Sequence, residues 1–270
     1  MEQKQNVMVT AKHIEIKRYI ERVCKGFDHS GRLLNDPVEF PHRYKDKRDI
    51  EIAGLISAVF SYGRVDLFKP VIERILEALG PCPYEFLINF SLKKDGRAFK
   101  GIYYRFQKDR DIMELIRVLS EVLRRFKDIE EAFMRFYSPQ DDNTGGAIEG
   151  FSRYILGLSG KRSEGIRQLF PLPSKGSACK RLNLFLRWMV RHDHIDLGIW
   201  KGIPKNRLVI PLDVHIARLA IATGITERKT PDWKMALEIT EFLKGIDPED
   251  PLKYDFVLCH AGMMGLNKKV

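Results

Sequence analysis

Along most of this chain apolar residues return every three or four positions, the spacing that gathers them on one face of an α-helix. Residues 12–27 read as a charged amphipathic helix. Residues 29–47, broken by Asp36-Pro37 and Phe40-Pro41, read as an extended loop that packs as an arm. From Asp49 onward, Ile50, Ile52, Ala53, Ile56, Ala58, Val59 and Phe60 predict a largely buried helix. It ends at Ser61-Tyr62-Gly63-Arg64, where Gly63 suits a left-handed C-cap. Further helices are expected over 66–79, 83–90, 111–126, 129–137 and 147–158, and later over 177–192, from Asp213 onward, over 232–243 and over 251–263. The clearest break is Asp141-Asp142-Asn143-Thr144-Gly145-Gly146, so a lobe boundary is expected near 138–147. No stretch alternates strongly enough to propose a strand, and no internal repeat is present. The expected fold is all-α: a single unit over 1–270, made of two helical lobes with a cleft between them.

Residues 172–219 concentrate the chemistry. Leu172-Pro173-Ser174-Lys175-Gly176 is a tight turn before a helix, so its backbone N–H groups and those of Ser177 point toward any nearby anion. In the helix Leu182, Phe185, Leu186, Met189 and Val190 form the apolar face, with Lys180, Arg187 and Arg191 together on the other side. Pro211 then fixes the entry to a second helix whose N-cap or first turn holds Asp213, where the helix N-terminus favours the ionised carboxylate. His192-Asp193-His194-Ile195-Asp196 alternates metal-ligand types, but with no further cluster it reads as polar loop, and no metal is expected.

These two segments, the Leu-Pro-x-x-Gly turn into a helix and Pro211-Leu212-Asp213-Val214-His215 opening the next, resemble the helix–hairpin–helix DNA glycosylase superfamily. The resemblance implies that the hairpin holds a DNA phosphate and that Asp213 assists departure of a flipped base. Bifunctional members add a lysine that forms a Schiff base with the sugar. The commoner members place it two residues after the last hairpin glycine, which is Ala178 here. The longer glycine-to-aspartate interval is more like the archaeal 8-oxoguanine glycosylase branch, which makes Lys180 the candidate and Lys175 the reserve. Arg181 and Arg187 are then expected against DNA. Residues 58–66 resemble the segment from which such enzymes fill the gap left by the flipped nucleotide; Tyr62 or Arg64 is the side chain available for it. Tyr104, Arg105 and Phe106, with Trp188 and Trp200, are candidate walls of a base pocket. The stretch 179–191, with 211–215 and Lys253-Tyr254-Asp255-Phe256, also resembles a bacterial family of unknown function grouped with these glycosylases.

Composition changes this picture in three ways. The formal net charge is +10, and between Lys161 and Arg218 twelve lysines and arginines face four carboxylates, a surplus of +8 in the motif region. That favours a polyanionic partner. Cys24, Cys82, Cys179 and Cys259 are too dispersed for zinc or for the iron–sulfur cluster of the endonuclease-III branch, so reduced thiols and no cofactor are expected. No signal peptide or membrane-length apolar run is present, which points to the cytoplasm, and with a DNA substrate a nucleoid-associated monomer is expected. The expected activity is excision of an oxidised base such as 8-oxoguanine from double-stranded DNA, with abasic-lyase cleavage. The alternatives are a non-catalytic DNA- or RNA-binding protein on the same scaffold, and an unrelated helical enzyme whose basic face takes a phosphorylated small molecule.

Overall fold

The computed structural model describes residues 14–22, 36–159 and 164–263, all-helical apart from turns and isolated bridges. Residues 14–22 form helix α1; the ends of the helix expected over 12–27 lie outside the described residues. Where an extended arm was expected, Pro37–Glu39 and Pro41–Arg43 are consecutive 3-10 turns. Asp36 caps the first by accepting the Val38 N–H at 3.0 Å. Each proline stands at the opening of its turn, where a missing N–H costs nothing. Val38 and Phe40 thereby sink into the core.

Helix α2 (Lys47–Phe60) is capped by the Asp46 carboxylate and is buried at every residue from Asp49 to Phe60. Around it stand α3 (Val65–Leu79), α4 (Pro83–Asn89), α5 (Leu92–Asp95), α6 (Asp109–Arg125), α7 (Ile129–Met134), α8 (Gly145–Leu158) and α9 (Glu164–Leu169). The motif region supplies α10 (Lys180–Val190) and α11 (Val214–Ala222), and the chain closes with α12 (Trp233–Ile246) and α13 (Asp255–Met263). Helix α10 starts three residues later than expected. Ser177 pairs with Asp232 in an isolated bridge, Trp233 N–H donates to Gly176 O at 3.1 Å, and Cys179 takes a left-handed conformation with φ 47°, so residues 177–179 belong to the hairpin.

The buried apolar residues fall into two clusters. The larger gathers α2, α3, α6, α8 and α10 with their connections, and joins Phe133 to Phe151, 5.6 Å between ring centroids, across the 138–147 break. The smaller joins Ile16 and Ile20 of α1 to Val209–Leu212 and the inner faces of α11 and α12. Between the α2–α3 junction on one side and the starts of α10, α11 and α13 on the other lies a cavity of about 590 Å³. Among the described residues no helix is long and apolar enough to cross a membrane.

Candidate active site

Asp213 occupies the N-cap of α11, with the extended backbone that position requires. Its Oδ1 accepts the N–H groups of His215 at 2.9 Å and Ile216 at 2.8 Å, which fixes the carboxylate and leaves Oδ2 for other partners. Lys180, the first residue of α10, brings Nζ to 3.9 Å from that Oδ2. The separation gives electrostatic attraction without a hydrogen bond. The Asp213 side chain is 6% exposed and that of Lys180 39%, so the carboxylate sits in the cavity wall and the ammonium at its edge. Cys259, from α13, donates its S–H to the same Oδ2 at 2.9 Å. Burial, and after it the charges of Asp213 and Asp255, push this thiol well above its ordinary range, so it is a neutral donor.

Behind this trio lies a buried ion network. Arg187 pairs through Nε with Asp196 at 3.1 Å and through Nη1 with Asp255, and Arg191 pairs with Asp196 and, at 2.7 Å, with Asp250. Arg187 is 3% exposed. Its Nε and Nη1 are taken up in holding α10 against α13, so it is not a surface DNA contact of the kind expected, although it lines the cavity and its Nη2 has no hydrogen-bond partner among the described residues. Burial opposes the charge on Arg187, but Asp196 and Asp255 outweigh it and raise its pKa. Burial raises the Asp255 carboxyl against the pull of Arg187. Arg181 is also drawn inward. It donates to Val59 O at 2.8 Å and to Gln168 O, and its guanidinium lies 5.0 Å from the Tyr62 ring centroid. The 192–196 loop is likewise structural, since Asp193 caps it through Ile195 and Asp196 N–H.

The hairpin turn is a 3-10 turn, Pro173–Lys175, closed by Gly176 at φ 81°, a left-handed conformation that a side chain would strain. Its donors are not free. Lys175 and Gly176 N–H close on Leu172 O and Pro173 O, while Ser174 gives its N–H, at 3.0 Å, and its hydroxyl, at 2.7 Å, to Glu149 of α8. Against the effect of burial, these bonds and Arg153 hold the Glu149 carboxyl below its ordinary value. An internal carboxylate thus stands where a phosphate was expected. Lys175 is exposed on the turn and does not line the cavity.

Tyr62 does line the cavity, together with Gly63, Lys180 and Asp213, so the two sequence segments meet in one place. The Tyr62 side chain is pinned. Its hydroxyl donates to Gln107 Oε1, its ring packs on Tyr104 at 4.8 Å, and burial pushes the phenol up to about 12. Gly63, at φ 85°, leaves room for the Tyr104 hydroxyl, which would stand 2.7 Å from a β-carbon there. Arg64 is exposed and paired with Asp66 at 2.7 Å. Trp188 and Trp200 do not wall the pocket. Both are buried in the larger core, and Trp200 Nε1 donates to Glu51 at 2.7 Å. Arg105 and Phe106 are exposed outside the cavity, and Tyr104 is buried beneath them.

A family model matches residues 36–264, a span that holds every residue lining the cavity. The chain belongs to that family, described as Protein of unknown function (DUF2400). No curated protein and no solved structure matches it significantly. In this DUF2400 member the residues that the sequence reading missed are Asp255 and Cys259, four apart on α13 and so on one helix face. That spacing, next to Lys253-Tyr254-Asp255-Phe256, was the available signal. Among the described residues no group of three or more His, Cys, Asp or Glu is arranged to hold a metal.

Proposed function

We propose that this chain is a DNA base-excision glycosylase with abasic-lyase activity, in which Lys180 is the nucleophile and Asp213 its charge partner. The supporting observation is the pairing of a partly exposed lysine with a helix-capped, buried carboxylate at 3.9 Å on the wall of a cavity of about 590 Å³. That volume suits a ligand the size of one flipped nucleotide. The identity of the chemistry comes from the glycosylase resemblance, whose oxidised-base branch makes 8-oxoguanine the first lesion to test.

In this mechanism the Lys180 amine, in its neutral form, attacks C1′ of the deoxyribose. The C1′–N bond breaks and its electron pair leaves with the base, which takes up a proton. Asp213 stabilises the positive charge that develops on the sugar. The lysine nitrogen gives up a proton, the ring oxygen leaves C1′ with the bond's electron pair and is protonated, and an imine on Lys180 results. Removal of a C2′ proton expels the 3′ phosphate by β-elimination. The exposed side chains of Lys175 and Arg64 contact the DNA backbone, and a nucleoid location follows from the substrate.

The test is incubation with duplexes each carrying 8-oxoguanine, uracil, thymine glycol, alkylated adenine or an abasic site, with and without borohydride. A covalent adduct is expected on one lesion class. It should vanish in Lys180→Ala and form roughly 10²-fold more slowly in Asp213→Asn. Binding without cleavage or adduct on any of them would move the non-catalytic nucleic-acid-binding reading to first place.

A further inference from the structure

We propose that a second nucleic-acid contact runs from the mouth of the cavity over the 103–106 turn to the start of α6, binding phosphates on its cations and an unpaired base on Tyr103 or Phe106. It rests on the preceding reading only for the class of partner, DNA, and not for the chemistry.

Lys93, Lys94, Arg97, Lys100, Lys108 and Arg110 are all exposed, and among the described residues none has an ion-pair partner. The carboxylates of the same stretch are fewer and are hydrogen-bonded locally. Asp95 accepts Ser91 N–H at 2.8 Å, Asp109 accepts Gly101 N–H at 3.2 Å, Asp111 accepts Lys108 N–H at 2.9 Å, and Glu114 holds Arg117 at 2.6 Å. These hydrogen bonds leave the carboxylate charges in place, but the six cations outnumber Asp95, Asp109 and Asp111, and the surface keeps a positive surplus, unlike α10, whose arginines are paired inside the fold.

Four of these cations line two depressions that share Asp109. Arg97, Lys100 and Arg110 border the first, and Tyr103, Arg105 and Lys108 border the second. Arg105 of the second depression lies beside Tyr62, which lines the cavity. Paired bonds of 2.9 Å between Tyr104 and Gln107 close the turn, whose Arg105 adopts a left-handed φ of 48°, and the Arg105 guanidinium lies 5.9 Å from the ring centroids of both Tyr62 and Phe106. Backbone strain in a non-glycine residue persists where its surroundings hold it, and it clusters at binding sites. Tyr103 and Phe106 are 72% and 62% exposed, the two most exposed large apolar side chains among the described residues. Exposed rings set among unpaired lysines and arginines form the combination that takes single-stranded nucleic acid, because every base offers a face to stack and every linkage a charge. A strand entering the cavity past Tyr62 leaves over this surface.

The experiment is fluorescence anisotropy with undamaged, labelled DNA of about 20 nucleotides, single-stranded and as blunt duplex, titrated with the full chain across a salt series. The triple variant Arg97→Glu, Lys100→Glu, Arg110→Glu is expected to bind at least roughly tenfold more weakly and to reduce the slope of log K against log salt by about three. Tyr103→Ala with Phe106→Ala should weaken the single strand roughly fivefold or more and the blunt duplex less. Lys93→Glu with Lys94→Glu supplies an independent charge reversal should the triple variant fold poorly, with thermal melting as the check. Wild-type affinity and slope in the charge variants would overturn the proposal. If wild type gives a borohydride adduct and the charge variants bind normally, this surface fails and the glycosylase stands. If the variants lose binding and no lesion yields an adduct, the glycosylase fails and this surface stands.

Discussion

At Asp213 every lone pair that matters has a named partner. Oδ1 is held by two backbone N–H groups of its own helix, and Oδ2 is shared by the Cys259 thiol and the Lys180 ammonium. Among the described residues the thiol supplies the one hydrogen bond to Oδ2. Cys259→Ala is expected to slow single-turnover adduct formation roughly fivefold, the size of one weak hydrogen bond to a charged acceptor at about 1 kcal/mol, with Cys259→Ser recovering most of the loss. A wild-type rate in the alanine variant would remove Cys259 from the site. A readout free of catalysis is alkylation of the same thiol. Because the Asp213 charge helps to raise its pKa, Asp213→Asn should make Cys259 react faster at fixed pH.

Helix α10 carries two kinds of basic residue that look alike in sequence. Lys180, at its first turn, stands half-exposed at the cavity edge, whereas Arg187 and Arg191, two and three turns on, are buried among Asp196, Asp250 and Asp255, with Arg187 in the cavity wall. Removing one member of such a network strands a charge in a low-dielectric interior. Asp196→Ala, which leaves both arginines short of a partner, is expected to cost about 3–5 kcal/mol, read as a lower urea midpoint. The fraction that stays folded should bind DNA with an unchanged salt slope. A steeper slope would mean that the arginines released from Asp196 reach phosphate. The hairpin before α10 carries a related lesson: its form is visible in Pro173 and Gly176, but its donors are occupied by Glu149, twenty-five residues upstream of Ser174.

For the molecule as a whole, Glu51 is the acid that ties stability to pH. It lies fully buried on α2, where it accepts Trp200 Nε1 and Ile129 N–H, both at 2.7 Å. Burial, and then the charge of Asp128, raise its carboxyl to about 7 despite Lys47 nearby. A carboxyl raised in the folded state binds more protons there than in the unfolded chain between its ordinary value and about 7. Its contribution is therefore fully present below the ordinary glutamate range and is lost as pH rises through about 7. The melting temperature is expected to fall across this window and to level off above it. Glu51→Gln, less stable overall because one of the two donors loses its acceptor, should show a flatter profile. An equal slope in both proteins would assign the pH dependence elsewhere.

Much of the fold was legible in the sequence because helix formation and helix burial leave local marks. The three- and four-residue periodicity placed the longer helices but not the short α5 and α9, Gly63 and Gly176 marked conformations that other residues resist, and Asp213 before an apolar stripe announced an N-cap. The paired prolines at 37 and 41 misled, since proline opens a 3-10 turn as readily as it extends a chain, and the buried Val38 and Phe40 decided between them. What the tertiary structure alone decided was partnership. Charge in a sequence states how many cations a segment has and not which carboxylates reach them, so only packing separated the buried Arg187 from the unpaired Arg97 and Arg110. In the same way it took Cys259 from a dispersed thiol to a donor on Asp213, and Trp188 and Trp200 from candidate pocket walls to core. Local backbone preferences act over a few residues, whereas pairing and desolvation depend on groups brought together across 46 positions for Cys259 and Asp213, and across 149 for Trp200 and Glu51.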